Sequence, residues 1–137
     1  MNLSPLHDDI YHAKICPYCK SGTKLLSELQ VYGRTYKNHV IIACKNWPQC
    51  DSYVGTHKNG TTLGRLADKK LRSAKNIAHT HFDKLHKRGY FERGELYQML
   101  SDHLGIDLEY THIGMFSIET CMRVMLWSKE LLSKQQK

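Results

Sequence analysis

The sequence predicts an α+β protein in which a small antiparallel ribbon of strands precedes a three-helix C-terminal part. Two observations favour this fold class. Short β-branched and apolar runs lie between two cysteine pairs in the first part of the chain. From Leu63 onward, apolar residues recur at the spacing of a helix face. Because 137 residues suffice for one domain or two small ones, we expect two domains, 1–57 with an N-terminal leader and 58–137.

Two strand-like segments are expected in the domain 1–57. The first covers 25–32 and leads into a turn at Gly33 and Arg34, since glycine favours chain reversal. The second covers 39–44 and contains three consecutive β-branched residues. Antiparallel pairing of these segments would form the ribbon.

Three helices are expected in the domain 58–137. The first starts at Leu63, with Thr62 as its N-cap and Gly89 as its stop. A second helix is predicted over 92–104, because Gly105 would end it. A third is predicted to start at Ser117. The first of these would be the longest and the most basic.

The positive charge is concentrated in one segment. The chain has 20 Lys and Arg against 13 Asp and Glu, a net charge of +7. Residues 58–93 have ten basic and three acidic side chains, so this segment carries the whole excess. Such a bias favours a polyanionic partner, and nucleic acid is the first candidate.

No membrane or export segment is predicted. No apolar run approaches the roughly 18 residues of a membrane span. The N-terminus also lacks the basic stretch and apolar run of a signal peptide. We therefore expect a soluble protein of the cytoplasm.

The strongest chemical signal is a set of four cysteines in two close pairs. Cys16 and Cys19 enclose two residues, and Cys44 and Cys50, which enclose five, follow after a gap of 24 residues. Two thiolates on a tight turn can occupy two corners of the tetrahedron that Zn²⁺ prefers. Four thiolates leave no position for a water molecule, so we predict one structural zinc ion.

Two other interpretations of these cysteines stay open. Cys-Pro-Tyr-Cys is also a dithiol redox sequence that resembles the glutaredoxin motif, although no apolar strand precedes Cys16 as that fold requires. Unrelated buried thiols are the other alternative. Cys121, on the apolar side of the third helix, is interpreted as a core thiol.

Part of the first domain resembles a known zinc module. The segments 16–19, 32–34 and 43–50 are similar to the four-cysteine zinc ribbons of bacterial type IA topoisomerases. That resemblance implies contact with single-stranded DNA through aromatic and basic residues. The catalytic tyrosine domain of a topoisomerase is absent, so strand passage is not implied. By position, the residues that match the DNA-contacting role are Arg34, Tyr36 and Trp47.

A second resemblance extends over nearly the whole chain. The segments 51–57, 63–72, 81–83 and 112–116 are similar to a family of short, mostly phage-encoded zinc-finger-containing proteins. This resemblance implies a role in a phage or prophage process, in the cytoplasm of the host.

The first helix and the ribbon together predict nucleic-acid binding. On a helix, Arg65, Lys69 and Arg72 lie on one basic stripe opposite the apolar face. Single strands require cations near the phosphates and flat rings for stacking, so we expect binding of single-stranded DNA with little sequence specificity. A solvated helix face has the same pattern and is the alternative interpretation. The candidate contacts are Arg34, Tyr36, Lys37, Lys45, Trp47, Tyr53, Lys58, Arg65, Lys69 and Arg72.

A small metal-dependent nuclease is another possible function. His79, Asp83 and His86 occur at i, i+4 and i+7, so one helix face would present three metal ligands, with His112 as a further one. Nine histidines in the chain make chance clusters common, however. The sequence therefore does not favour catalysis.

A third function is binding to a host enzyme or defence system. Apolar side chains near the C-terminus would form the docking patch, or else pack as core. These side chains are Met115, Phe116, Met122, Met125, Leu126 and Trp127.

Overall fold

The computed structural model describes residues 8–135 and confirms the α+β fold class. These residues form two compact units, 8–69 and 70–135, called here the ribbon unit and the helical unit. The part of the predicted leader that precedes residue 8 lies outside the described residues. Packing keeps 58–69 with the ribbon unit, beyond the end of the domain expected at residue 57.

The sheet of the ribbon unit has three antiparallel strands in the order of the sequence. Strand β1 (Thr23–Leu26) pairs with β2 (Ile41–Cys44), which places Thr23 opposite Cys44. Strand β2 also pairs with β3 (Tyr53–Val54). The first cysteine pair therefore precedes β1, and the second starts at Cys44, the last residue of β2, at the same end of the sheet.

The core of the ribbon unit is small. A short helix, α1 (Asp8–Tyr11), precedes the sheet. A core of this size stabilises a fold only weakly, so the unit needs a further source of folding free energy. The buried residues that pack together in it are Ala13, Cys16, Cys44, Val54 and Leu66.

The segment predicted as one strand, 25–32, changes conformation midway. Strand β1 ends at Leu26, and helix α2 follows over Glu28–Tyr32, so the prediction of a continuous strand is wrong. Ser27 and Gln30 form a reciprocal capping box, with N–H to side-chain oxygen distances of 2.8 and 3.1 Å. This box satisfies N–H groups that would otherwise be unpaired at the helix start, and so stabilises the local helix.

Helix α3 spans Lys69–Lys87 and begins later than predicted. The expectation that it starts at Leu63 with Thr62 as its N-cap is wrong. Thr62 and Ala67 instead form antiparallel bridges to the ribbon. Leu66 is 0% exposed and lies in the ribbon core. The apolar spacing of this segment resembles a helix face, but its side chains are buried by non-helical packing.

The helical unit continues with α4 (Arg93–Leu104) and α5 (Ile118–Gln135), joined by two 3-10 turns. Gly89 and Gly105 adopt left-handed φ values of 78° and 71°, which confirms both predicted helix stops. Ser117 caps α5, because its hydroxyl oxygen accepts a backbone N–H of the first turn at 3.2 Å. Among residues 8–135, no helix is both long and apolar enough to cross a membrane.

The core of the helical unit includes part of the predicted docking patch. Cys121 is 0% exposed, which confirms its interpretation as a core thiol. Phe116 is also buried, and the Trp127 ring stacks on His103 with ring centroids 5.5 Å apart. Leu126 is 61% exposed. Binding of a host protein stays a prediction. The largest fully buried side chains of this unit are Phe82, Leu85, Leu96, Leu100, Ile113 and Val124.

Candidate metal centre and ribbon surface

Two tight turns position the four cysteines. In the first, the N–H of Lys20 donates to the carbonyl of Cys16 at 2.9 Å, and Lys20 adopts a left-handed φ of 65°. In the second, the N–H of Cys50 donates to the carbonyl of Asn46 at 3.1 Å. The N–H of Lys45 donates to Gly22 at 2.9 Å and so links the two turns. The sheet thereby brings together cysteines that are distant in sequence.

The sulfur atoms have the geometry of a zinc site. The Sγ atoms of Cys16, Cys19, Cys44 and Cys50 all lie within 4.8 Å of one another. The Cys19–Cys44 pair is 3.2 Å apart and the Cys16–Cys50 pair 3.6 Å apart. In a tetrahedron with Zn–S bonds of about 2.3 Å, neighbouring sulfurs are about 3.8 Å apart. The four thiols therefore fit one Zn²⁺ ion.

Polar groups surround the sulfurs. The Oγ of Ser52 lies 3.1 Å from the Sγ of Cys16, and Ser52 is fully buried. The backbone N–H of Asn46 points to the Sγ of Cys44 at 3.4 Å, and its side-chain amide reaches Cys19 at 3.7 Å. Donors of this kind balance the negative charge of zinc-bound thiolates and orient them.

The thiols differ in acidity before zinc binds. Hydrogen bonds from the side chain and backbone of Ser21 lower the pKa of Cys19 to about 6. Burial raises the pKa of Cys44 to about 12, and burial also raises the pKa of Cys50. Zinc ligation must therefore displace protons from the buried thiols, since thiolates are the ligands. A set of four thiolates is coordinatively complete, so the zinc ion is structural.

The predicted histidine and aspartate site does not assemble. The Nδ1 of His79 lies 4.0 Å from a carboxylate oxygen of Asp83. Burial lowers the pKa of His79, against the opposing effect of Asp83. Within the part of the chain that the structure describes, only the four cysteines form a group of three or more potential metal ligands. His86 and His112 therefore do not join this pair in a metal site.

Several of the predicted nucleic-acid contacts form an aromatic cluster on the ribbon. The guanidinium of Arg34 lies 4.7 Å from the centre of the Tyr36 ring. The Tyr32 ring makes edge contacts with Tyr36 at 5.6 Å and with Tyr53 at 6.0 Å. Tyr32 was not among the predicted contacts, although its place directly before the Gly33 turn was a signal that could have identified it. The structure thus joins three tyrosines and one arginine, which we call the aromatic cluster.

A groove lies beside this cluster. Its volume is about 490 Å³. Lys37 and Lys58, both predicted contacts, line it together with residues of the aromatic cluster. The structure therefore brings two predicted cations and two tyrosines, Tyr32 and Tyr36, to one concave surface.

The remaining predicted contacts lie elsewhere. Lys45 is exposed and Trp47 half-buried in the second cysteine turn, and neither lines the groove. Arg65 precedes α3, so the stripe it was predicted to form with Lys69 and Arg72 on one helix is wrong. The burial of Leu66 and Ala67 in the ribbon unit is the reason, because it holds the chain around Arg65 out of a helix.

Glu28 holds the loop that carries the aromatic cluster. One of its carboxylate oxygens, Oε1, accepts the backbone N–H groups of Tyr36, Lys37 and Asn38 at 2.8, 3.0 and 2.8 Å. Asn38 adopts a left-handed φ of 59°, which turns the chain back toward β2. Burial raises the pKa of Glu28, but these hydrogen bonds outweigh that effect and the pKa lies below its ordinary value.

Replacement of this carboxylate is expected to loosen the loop. The substitution Glu28→Gln removes the charge that strengthens three hydrogen bonds, so amide exchange at residues 36–38 should accelerate roughly ten-fold. Because the folded-state pKa is lowered, the same protection in the unaltered protein should persist at neutral pH and disappear as the pH falls through that pKa. Hydrogen exchange measured by NMR tests both effects.

Glu130→Gln is the matched control. Glu130 is 71% exposed on α5 and pairs with Lys134 at 3.5 Å. Exchange at residues 36–38 should not change in this variant. Unchanged exchange in Glu28→Gln would contradict the role assigned to Glu28.

The sheet and the cysteine turns together define a structural class. A three-stranded antiparallel sheet whose turns carry a four-thiolate zinc site is a zinc ribbon. Residues 12–131 match the model of a family of zinc-finger-containing domains, and the chain belongs to that family. Comparisons with curated proteins and with solved structures found no match.

Proposed function

We propose that the protein binds single-stranded nucleic acid, specifically single-stranded DNA, through the surface of its ribbon unit in a phage or prophage process. The observation that carries the proposal is the aromatic cluster, in which Arg34 lies 4.7 Å from the centre of the Tyr36 ring. This arrangement places a cation and a flat ring together on an exposed surface. Single strands need both, one for the phosphate and one for the base.

The rings support stacking with unpaired bases. Tyr36 is 61% exposed, and Tyr32 is 41% exposed. Exposed aromatic surface of this kind gains free energy when a base covers it. Bases in a duplex are already stacked on each other, so unpaired bases are the better partners.

Cations on the same unit support contact with phosphates. Lys37, Lys45, Lys58 and Lys69 are all exposed. Lysine ammonium groups near a nucleic-acid backbone release condensed counterions, which is favourable and independent of sequence. Affinity with little sequence specificity is the result expected from such contacts.

Binding of single strands in preference to duplex tests the proposal. Zinc-loaded protein is titrated into a fluorescent oligothymidylate and, separately, into a duplex of equal length, with anisotropy as the readout. We expect the single strand to bind roughly ten-fold more tightly or better, because stacking is available only to unpaired bases. Equal affinities would show that charge alone attracts the protein, and lack of binding to either would overturn the proposal.

A further inference from the structure

We propose that the groove on the ribbon unit holds one unstacked nucleotide of the bound strand, with its base against the tyrosines and its phosphate at the lysines. The inference rests on the proposed function and assigns a particular site to it. The groove is bounded by α2, the loop 33–40 and the hairpin 55–63.

The size of the groove suits a small organic ligand. A volume of about 490 Å³ lies within the range of about 300–1,000 Å³ that is typical of small-molecule sites. Its walls come from different parts of the ribbon unit, and Glu28 fixes one of them through the hydrogen bonds to the loop. The concave shape is therefore held in place before a ligand binds.

The groove has aromatic and apolar lining residues. Tyr32 from α2, Tyr36 from the loop and Leu63 from the hairpin line it, and Leu63 is 50% exposed. A side chain at Gly55 would meet Leu63, since a Cβ there would lie 3.2 Å from the Cδ1 atom. Glycine thus lets Leu63 pack on the hairpin backbone. A base between leucine and tyrosine would cover apolar surface that water now contacts.

The rim of the groove is cationic. Lys37 and Lys58 line it with His57. No ion pair joins either lysine to a carboxylate among residues 8–135. Glu28 lines the groove as well, but its Oε1 is occupied by three N–H groups. Two lysine charges against one carboxylate leave the lining with a net charge of +1, which favours an anion such as the phosphate of a bound strand.

Photo-crosslinking tests the assignment. Zinc-loaded full-length protein is irradiated with an oligothymidylate that carries one 5-iodouracil, and mass spectrometry identifies the residue to which the base is joined. We expect the crosslink at Tyr32 or Tyr36. A crosslink at Trp47 or on α3 would overturn the assignment of the groove, although binding of the strand itself would still be established.

Filling the groove provides a second measurement. The substitution Leu63→Trp places a ring where the base is expected, so affinity for the strand should fall roughly five-fold or more. Leu25→Trp is the matched control, because Leu25 is 67% exposed and does not line the groove. Zinc content and circular dichroism confirm that both variants are folded.

The outcomes separate the two proposals. Equal affinities of Leu63→Trp, Leu25→Trp and unaltered protein would overturn the groove as the nucleotide site, with strand binding still established. Failure of the unaltered protein to bind any strand would overturn the proposed function, and with it this inference.

Discussion

Removal of zinc is expected to unfold the ribbon unit and to leave the helical unit folded. The ribbon has only a short sheet and a small core, whereas structural zinc in small domains contributes about 10–16 kcal/mol at pH 7. The helical unit has a core of its own that contains none of the four ligands. A strong chelator should therefore abolish amide protection in β1 and β2 while α4 and α5 stay protected.

Single-residue variants make the same test without a chelator. Cys16→Ser removes one of the two fully buried ligands, so the purified protein should contain much less than one zinc ion per chain and an unfolded ribbon. Cys121→Ala is the control, because it removes a buried thiol from the helical unit and should retain the metal. Metal content by mass spectrometry and hydrogen exchange are the measurements. A metal-free protein with a protected sheet would contradict the structural role of zinc.

Reversal of charge on the ribbon is expected to weaken binding to single-stranded DNA strongly. The triple variant Lys37→Glu, Lys45→Glu and Lys58→Glu replaces three exposed cations by anions. For each lysine that no longer neutralises a phosphate, the slope of log affinity against log salt becomes shallower by about 0.7. The slope should therefore become shallower by about 2 in any binding that remains, and affinity at low salt should fall by roughly a hundred-fold or more.

A second triple variant controls for net charge. Arg123→Glu, Lys129→Glu and Lys134→Glu make the same change in charge on three exposed residues of α5. Because only the location differs, this variant should retain most of the affinity at physiological salt. An equal fall in affinity in both triple variants would mean that overall charge, and not the ribbon surface, attracts the strand.

The succession of a ribbon and three later helices, and the zinc ligands, could be predicted because they depend on local chemistry. Two cysteines on a tight turn present ligands whatever the rest of the chain does, and Gly89 and Gly105 stop helices through their own left-handed backbone. The capping box at Ser27 and Gln30 was equally local. It could have corrected the strand predicted over 25–32, because it marks the start of a helix at Glu28.

The start of α3 could not be predicted in the same way. Leu66 and Ala67 continue the apolar spacing of the helix, and nothing near them in sequence shows that they are buried in the ribbon unit. At these two residues, tertiary packing outweighs helical periodicity. As a result, Arg65 does not lie on the predicted basic stripe of the helix. The contact of Glu28 with residues 36–38 likewise depends on a chain reversal that brings distant groups together.

The sequence by itself determined that this is an α+β protein with a four-cysteine zinc site and a basic middle segment. Residue type, spacing and charge express those properties without reference to the rest of the fold. Only the tertiary structure decided which cations and rings share a surface: Lys37 and Lys58 meet Tyr32 and Tyr36 around one groove. The physical reason is that a site made from separate segments forms only when long-range packing brings those segments into contact.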